Sequence, residues 1–377
     1  MNSVRKKFVF CSPVTPIYEM HRFRPYFEFP KAASNFGFDP YLLIGKNNLN
    51  YHGQVKVIET GYDSNKHTDV PKTLPFLLKF INRERPDVFI FFHMNLILPI
   101  IVSFTKVFNW KRKVRFVLKM DWDGSKFKEL GNFMIIRNLL LAIESFFVDS
   151  IIIENSCGYN SLLTIPIVDK KKIIVLPNGY SNDLIQEVSY SEIKREPIIL
   201  IVSRVSPEKG IDILISAFSE LKNEYPEWKL KIVGPIEDKK YYKKCQSLIQ
   251  DLNMQSLIFF AGPHYGETLK MDYYHSSIFC LPSLEESFGI VRMEAIAAGL
   301  PLITSDAGCG IDFEHYGSLV FESGNIAQLR KGLKKLMESE TTRKEISRKQ
   351  QESIISYNQI IKKIVAVIGF NYLINQI

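Results

Sequence analysis

The sequence lacks an apolar run of the length that a membrane-spanning helix needs. Its most apolar stretch, residues 88–108 (VFIFFHMNLILPIIVSFTKVF), is interrupted by His93, Asn95 and Pro99, whereas a spanning helix takes about 20 predominantly apolar residues. We therefore predict a buried strand and a core helix in this stretch. The first residues, MNSVRKKFVF, are basic but carry too short an apolar run for a signal peptide.

Cysteine is scarce and scattered. The five cysteines are Cys11, Cys157, Cys245, Cys280 and Cys309, and none stands in CxxC spacing. Structural zinc sites and disulfide scaffolds use closely spaced cysteines, so neither is indicated. The sequence also has no internal repeat and no low-complexity tract. These absences favour an ordinary folded protein of the cytoplasm, with the inner face of the membrane as a second location.

The length of the chain indicates the number of domains, and its charge indicates the kind of partner. With 377 residues, 46% hydrophobic and 23% charged, it is longer than a single core normally supports, and two domains are expected. The net charge of +8 and the isoelectric point near 9.0 favour anionic partners such as phosphorylated ligands, nucleic acid or an acidic membrane surface. A basic host composition explains the charge equally well.

Short β-branched and aromatic runs alternate with longer helical patterns, which is typical of α/β proteins with parallel sheets. The first series of predicted strands is 7–11, 41–44, 88–92, 115–118, 150–153 and 173–176, and the second is 198–203, 229–233, 257–261, 278–281 and 302–304. Residues 177–197 are polar and turn-rich and are the predicted linker. The pattern predicts two doubly wound, Rossmann-like domains that face each other across a cleft, with ligands at the carboxyl ends of the strands.

Two cations follow the first strand of the second series. Arg204 and Lys209 lie in SRVSPEKG, beside Gly210, and cations at the carboxyl end of a parallel strand suit a diphosphate. Solvated surface residues are the alternative. Gly234 and Gly262 end the next two strands, where glycine permits close approach of a ligand or simply makes a turn.

In the stretch SLEESFGIVRMEAIAAGLPLITSDAGCG, Glu286 and Glu294 lie on either side of the start of an apolar helix. Ser287 is the predicted N-cap of this helix. The first amides of the helix would form an anion site; they belong to Phe288, Gly289 and Ile290. The carboxylates would lie up to about 12 Å apart along the axis, too far for the pair of a retaining glycosidase, at about 5–5.5 Å. A dipole-favoured loop residue and a salt bridge are the plain alternatives for Glu286 and Glu294.

Together these residues resemble the retaining, GT-B-fold glycosyltransferases of the glycosyltransferase 4 family. EESFGIVRMEAIAAGLPLITSDAG resembles the E-x7-E region of that family, and VSRVSPEKG resembles its diphosphate-binding Arg/Lys loop. LPNG, SR…EKG, VG, FAG, E-x7-E and YGSLVFESGN follow in the family's order over roughly residues 170–335. The agreement in order is more specific than any one motif.

The resemblance implies a role for each of these residues. Arg204 and Lys209 would neutralise the diphosphate of the leaving nucleotide, Glu294 would bind the ribose, and Glu286 would contact the donor sugar. The amides of Phe288, Gly289 and Ile290, together with Ser287 and Gly234, would complete the donor site. No metal and no cofactor is expected, and the donor is a nucleotide-sugar, with UDP- and GDP-sugars expected first. The implied domains are an acceptor-binding domain (1–180), a nucleotide-sugar domain (181–355) and a helix (356–377) that packs back on the first domain.

The first half departs from the family pattern. The first loop, CSPVTPIYEMHRFRPYFEF, has no glycine pair. Strand 115–118 runs into KMDWDG, so that Asp121 stands near the position of the family's histidine and is the predicted substitute for orienting the donor or accepting a proton. Asp121-Trp122-Asp123 is also a literal D-x-D, a metal-binding pattern of other glycosyltransferases. We reject a metal site because the second half supplies cations for the diphosphate.

Basic residues of the first half suggest further contacts. His21, Arg22 and Arg24 follow the first strand and could meet a phosphate or the acceptor, or form a plain surface loop. A looser cluster, beside the apolar Phe108 and Trp110, would suit an anionic bilayer, with a solvated turn as the alternative. Its members are Lys106, Lys111, Arg112, Lys113, Arg115 and Lys119.

The sequence analysis thus predicts a glycosyltransferase that uses a glycan or lipid-linked acceptor with retention of configuration and does not bind nucleic acid. A nucleotide-sugar epimerase and a catalytically silent sugar-nucleotide-binding subunit are the alternatives.

Overall fold

The computed structural model describes residues 5–18, 23–48, 51, 53–62, 67–93, 95, 97–108, 113–122 and 132–369. The chain divides into two compact units, residues 1–178 with 355–377 and residues 179–354. Within the described ranges, no helix combines the length and apolar character required to cross a membrane.

The first unit is built on a seven-stranded parallel sheet in the order β3-β2-β1-β4-β5-β6-β7. Its strands are β1 Lys7–Ser12, β2 Asp39–Ile44, β3 Lys56–Glu59, β4 Val88–Phe92, β5 Arg115–Met120, β6 Ser150–Ile153 and β7 Ile173–Val175. Its helices are α1 Pro25–Ser34, α2 Leu74–Glu84, α3 Leu98–Phe108, α4 Asn132–Phe147, α5 Ser156–Leu163 and α12 Tyr357–Val367.

Alternate residues of β1 point to two different cores, which is why its apolar residues are consecutive. Phe8 and Phe10 pack with residues of α1 and α12, whereas Val9 and Cys11 pack with residues of α2 to α5. Helix α12 begins with a capping box at Ser356, which satisfies the amides of its first turn. Helices thus cover both faces of the sheet, as the doubly wound prediction requires.

The second unit holds a six-stranded parallel sheet in the order β10-β9-β8-β11-β12-β13. Its strands are β8 Ile198–Val202, β9 Lys229–Val233, β10 Ile258–Gly262, β11 Ile278–Leu281, β12 Leu302–Ser305 and β13 Leu319–Phe321. Its helices are α6 Ile211–Ser219, α7 Lys239–Asp251, α8 Gly266–His275, α9 Ile290–Ala297, α10 Ile326–Glu338 and α11 Glu340–Gln351. The predicted α/β class with two parallel sheets is confirmed.

The prediction of a linker over residues 177–197 is wrong for most of its length. From residue 179 onward this segment belongs to the second unit. The Arg195 guanidinium donates to the main-chain carbonyls of Tyr190, Tyr273 and Ala298, among others. Tyr190 itself is buried. Buried Tyr190 and the hydrogen bonds of Arg195 therefore tie this segment to the second unit, although many of its other polar residues are exposed.

Candidate active site

Two loops of the second unit, which follow the neighbouring strands β8 and β11, are held against each other. Gly210 has a φ of 61°, and a Cβ at this residue would lie 2.2 Å from the carbonyl oxygen of Pro282. The carbonyl of Glu208 also accepts hydrogen bonds from the amides of Leu284 (2.8 Å) and Glu285 (3.2 Å). Only glycine permits this approach, so the sequence EKG fixes how close the two loops come.

This contact brings Lys209 and Glu286 together. Lys209 Nζ lies 2.9 Å from Glu286 Oε2, and both side chains are nearly buried, with 11% and 13% exposed. Ser283 Oγ lies 3.3 Å from the same oxygen, and the Ser287 amide lies 3.3 Å from Oε1. Burial alone would raise the pKa of Glu286, but the charges of Lys209 and Arg292 outweigh it and hold the pKa below its usual range. Glu286 is therefore an anion at neutral pH.

Arg292 completes this site, and the sequence analysis did not single it out. Its side chain is fully buried and donates to Thr304 Oγ1 (2.9 Å) and to the carbonyls of Phe288 (2.9 Å) and Ala307 (3.0 Å). Burial lowers its pKa to about 10, although the Glu286 carboxylate opposes that change, so it stays charged at neutral pH. An arginine inside the apolar run IVRMEAIA was the available signal, because such a residue is rarely buried without partners.

The start of α9 differs from the prediction. Ser287 is not the N-cap; the helix begins at Ile290, with Gly289 as N-cap at φ 72° and ψ 70°. This left-handed turn places the Phe288 side chain in the core and its carbonyl on Arg292. Of the three residues predicted to supply helix-start amides, only Ile290 is helical. Residue preferences at helix N-caps favour serine, and they do not show that Gly289 adopts a left-handed conformation supported by the buried Arg292.

Glu294 lies little more than one turn inside α9, which begins at Ile290. Its side chain is buried, and the hydroxyl of Tyr273 on α8 donates to its Oε2 at 2.7 Å. The tyrosine fixes the orientation of this carboxylate. The sequence analysis offered a salt bridge as the alternative for Glu294 without naming a partner, and it did not predict the contact with Tyr273.

Arg204 lies in the loop after β8, but it does not join Lys209 at Glu286. Its guanidinium pairs with the carboxylates of Glu237 and, at 3.2 Å, Glu208. These side chains line an open groove of about 560 Å³. A phosphate that binds Arg204 must therefore displace or move these carboxylates.

Gly234 serves a backbone contact. Its φ is 145°, and a Cβ there would lie 1.9 Å from the carbonyl oxygen of Ser203, at the end of β8. Any side chain would push the ends of β8 and β9 apart, which explains this glycine without a ligand.

A second polar cluster occupies the carboxyl ends of three neighbouring strands in the first unit. Lys119 of β5 is buried over the rings of Phe29 and Phe92, at 5.5 and 5.2 Å, and forms an ion pair with Asp121. Glu154 follows β6 and accepts a hydrogen bond from Asn178 Nδ2, just after β7. Glu154 and Asn178 are both buried.

The pKa values of Asp121 and Glu154 are shifted in opposite directions. Burial raises the pKa of Glu154 well above its usual value, and the charge of Asp121 raises it further. Burial also opposes ionisation of Asp121, but the charges of Lys119 and His93 outweigh it and lower its pKa. Asp121 therefore loses its proton more readily than Glu154 does.

The remaining predicted residues of the first half have mixed outcomes. Asp123, His21 and Arg22 lie outside the described residues. Arg24 is the N-cap residue of α1, and its side chain makes no capping hydrogen bond. Among the residues that the structure describes, no group of three or more His, Cys, Asp or Glu could hold a metal ion.

Comparison with known proteins agrees with this architecture. Residues 185–353 match the family model of the glycosyl transferases group 1. The chain is 27% identical over 268 residues to an uncharacterized glycosyltransferase of Methanocaldococcus jannaschii. That match covers 64% of each chain, which is less than two thirds of the relative's length.

Solved structures share the fold over almost the whole chain. Sucrose-phosphate synthase of Thermosynechococcus elongatus superimposes with a TM-score of 0.69 at 16% identity, over 99% of both chains. HepE of Anabaena, solved in complex with UDP and glucose, gives a TM-score of 0.70 at 15% identity, over 96% of this chain and 99% of HepE. At such identities the likeness establishes the fold, which is that of GT-B glycosyltransferases. Residues 185–353 thus resemble the glycosyl transferases group 1, as the sequence motifs indicated.

Proposed function

We propose that the protein is a glycosyltransferase that moves a sugar from a nucleotide-sugar donor to a glycan or lipid-linked acceptor, with retention of anomeric configuration. The nearly buried Lys209–Glu286 pair at the carboxyl edge of the second sheet carries this proposal. Removing two charges from water is costly, and such a pair is weak evidence for a role in stability. Its place within the family-matching region favours a role in binding the donor.

Each charged group of the site has a role in this proposal. Lys209, and Arg204 once freed from Glu237, neutralise the negative charge that develops on the leaving diphosphate, an effect that is usually among the largest in catalysis. The anionic Glu286 binds hydroxyls of the donor sugar and supports positive charge near the anomeric carbon. Glu294, oriented by Tyr273, binds the ribose.

The amides at the start of α9 bind a phosphate oxygen in this proposal, since helix starts favour anions. The turn before this helix runs from Ser287 to Gly289, and Ile290 is the first helical residue. No resident metal is required, because Lys209 and Arg204 supply the positive charge.

We further propose that Asp121 takes up the proton of the acceptor hydroxyl as the glycosidic bond forms, or orients the donor sugar. An ionised carboxylate beside the buried Lys119 is suited to either task. Glu154 acts as a positioning residue, because its proton and the Asn178 hydrogen bond hold the pair in place.

The UDP and glucose bound in HepE make UDP-sugars the first donors to test. Purified full-length protein is incubated with UDP-, GDP- and ADP-sugars without acceptor, and the anomeric protons are followed by NMR. Slow hydrolysis of one donor that is lost in Glu286→Gln, but kept in the exposed neighbour variant Glu285→Gln, supports the proposal. Formation of a different nucleotide sugar would make the protein an epimerase, and binding without turnover of any donor or added glycan would contradict transferase activity.

A further inference from the structure

The first unit carries an apolar face on two adjacent helices. Large side chains that a soluble domain normally buries are exposed here: Ile100 (50%) and Val107 (68%) on α3, and Leu139 (55%), Ile143 (41%) and Phe146 (77%) on α4. Their spacings of seven residues on α3, and of four and three on α4, place them along one stripe of each helix. We call these five residues the α3–α4 face.

The two stripes lie on neighbouring helices. Helices α3 and α4 are neighbours, and Lys106 Nζ of α3 donates to the carbonyl of Phe147 at the end of α4, at 3.2 Å. A shallow groove of about 470 Å³ runs along α3 and is lined by Pro99, Ile100, Ser103, Phe104 and Val107. Contiguous exposed apolar surfaces of this kind usually mark an interaction site.

The charged side chains that the structure describes around the α3–α4 face are mainly cations. Glu144 is the only acidic residue in either helix; it is fully buried and accepts a hydrogen bond from the Asn95 amide at 2.8 Å. Burial raises its pKa to about 8, so it is largely neutral at pH 7. Lys172 Nζ donates to the carbonyls of Ser145 (2.7 Å) and Phe146 (3.1 Å), which puts a second ammonium group next to the most exposed aromatic ring.

Further cations flank this end of α4, whereas the neighbouring acids are engaged. Lys170 and Lys171 are exposed in the turn before β7. The carboxylate of Asp169 caps the Lys171 amide, and that of Asp149 accepts from Arg115 and from the Phe116 amide. Among the residues described next to the face, ammonium groups are therefore exposed and the carboxylates of Asp149 and Asp169 are engaged.

We propose that the α3–α4 face docks on the surface of an anionic lipid bilayer. Exposed Phe, Leu, Ile and Val side chains would enter the boundary of headgroups and acyl chains, and Lys106, Lys170, Lys171 and Lys172 would meet lipid phosphates. A protein partner is less suited, because an apolar face ringed by cations requires a partner that is both apolar and acidic. The inference is independent of the proposed sugar transfer.

This surface differs from the basic cluster that the sequence suggested. Lys119 is buried beneath aromatic rings, and Arg115 pairs with Asp149 at 3.3 Å, so neither is available to a bilayer. Trp110, Lys111 and Arg112 lie outside the described residues. Only Lys106 and Lys113 of that cluster are described as exposed.

The test is co-sedimentation of the full chain with vesicles of phosphatidylcholine alone or with about one-third phosphatidylglycerol. We expect binding to the mixed vesicles only, weakened by salt. Phe146→Glu should reduce it about tenfold, since it removes a large apolar group and adds a repulsive charge. Lys170→Gln with Lys171→Gln should reduce it several-fold. Ile236→Ser removes a comparably exposed isoleucine from the second unit and should leave binding unchanged.

Three outcomes would overturn the proposal. The first is a wild-type protein that does not bind the mixed vesicles, and the second is a Phe146→Glu variant that binds them as well as Ile236→Ser does. The third is an oligomer in sedimentation velocity without lipid that Phe146→Glu dissociates, which would assign the face to a second copy of the chain. Because Phe146 is 77% exposed, its replacement should not unfold the protein, and an unchanged circular dichroism melting curve verifies this.

Discussion

The Lys209–Glu286 pair can be separated experimentally into its effects on stability and on function. In Lys209→Met, the nearly buried Glu286 loses the ammonium group 2.9 Å away. Breaking such a pair by removing one partner costs about 3–5 kcal/mol, because an uncompensated charge remains. At roughly 2–4 °C per kcal/mol for a unit of this size, the unfolding midpoint should fall by about 10 °C. Activity should be lost as well.

The double variant Lys209→Met with Glu286→Leu removes both charges and keeps apolar volume. Replacing a buried ion pair by hydrophobic residues is often neutral or stabilising, so the double variant should recover most of the lost stability. It should nevertheless remain inactive, because neither the diphosphate nor the donor sugar then has its charged partner. Calorimetry of the three proteins and donor hydrolysis by NMR measure the two effects.

The pH dependence of stability provides a further test of the Lys209–Glu286 pair. The pKa of Glu286 is lowered in the folded protein, so its contribution to stability is complete above the unfolded carboxyl pKa of about 4.3 and is lost as the pH falls through the lower folded value. The stability difference between wild type and Lys209→Met should therefore shrink in acid. A double variant as unstable as the single one, or an active double variant, would refute the reasoning.

Three further predictions concern other buried groups. In Arg292→Lys, the lysine cannot reach all three acceptors of the guanidinium. We expect denaturant titration to show a loss of about 3 kcal/mol in the free energy of unfolding, together with a raised pKa of Glu286. Unchanged stability would contradict the role of Arg292 as the support of this turn. Glu144 has its pKa raised to about 8, so the native state retains a proton that the unfolded chain has lost, and the first unit should lose stability as pH rises from about 4.3 towards that value, by roughly 1.4 kcal/mol per pH unit at most. Glu144→Gln should flatten this dependence while keeping the Asn95 hydrogen bond, and an unaltered slope would argue against it. Tyr273→Phe removes the hydroxyl that lies 2.7 Å from Glu294. It should destabilise the protein by about 1–3 kcal/mol and raise KM for the donor more than it lowers kcat. An unchanged KM would argue against ribose binding by Glu294.

The strands that lie in the middle of each sheet could be read from the sequence. Residues 88–92, 150–153, 229–233 and 278–281 were predicted with the bounds that the structure has, because strands covered on both faces are rich in apolar residues. The strands β3 and β13 were missed. They are short, partly exposed edge strands, and their stability comes from pairing with a neighbour, which local composition does not reveal.

The candidate site was predictable only in part. The motifs located Arg204, Lys209, Glu286 and Glu294 in the right loops and helix, since their order along the chain resembles a known family. Which charges meet was decided by tertiary structure. The left-handed Gly210 brings Lys209 onto Glu286, and Arg204 turns instead to carboxylates of its own groove.

The same limit applies to the first unit, where Asp121 was predicted to act on the substrates and Lys119 was named only as part of a basic surface cluster. Lys119, Asp121, Glu154 and Asn178 are up to 59 positions apart in sequence, and they meet because β5, β6 and β7 are neighbours in one parallel sheet whose carboxyl ends share an edge. The sequence by itself determined the strands other than β3 and β13, because burial on two faces favours runs of apolar residues. Tertiary structure decided which polar side chains meet at the strand ends, because strand order and the close approach of loops bring together residues that are distant along the chain.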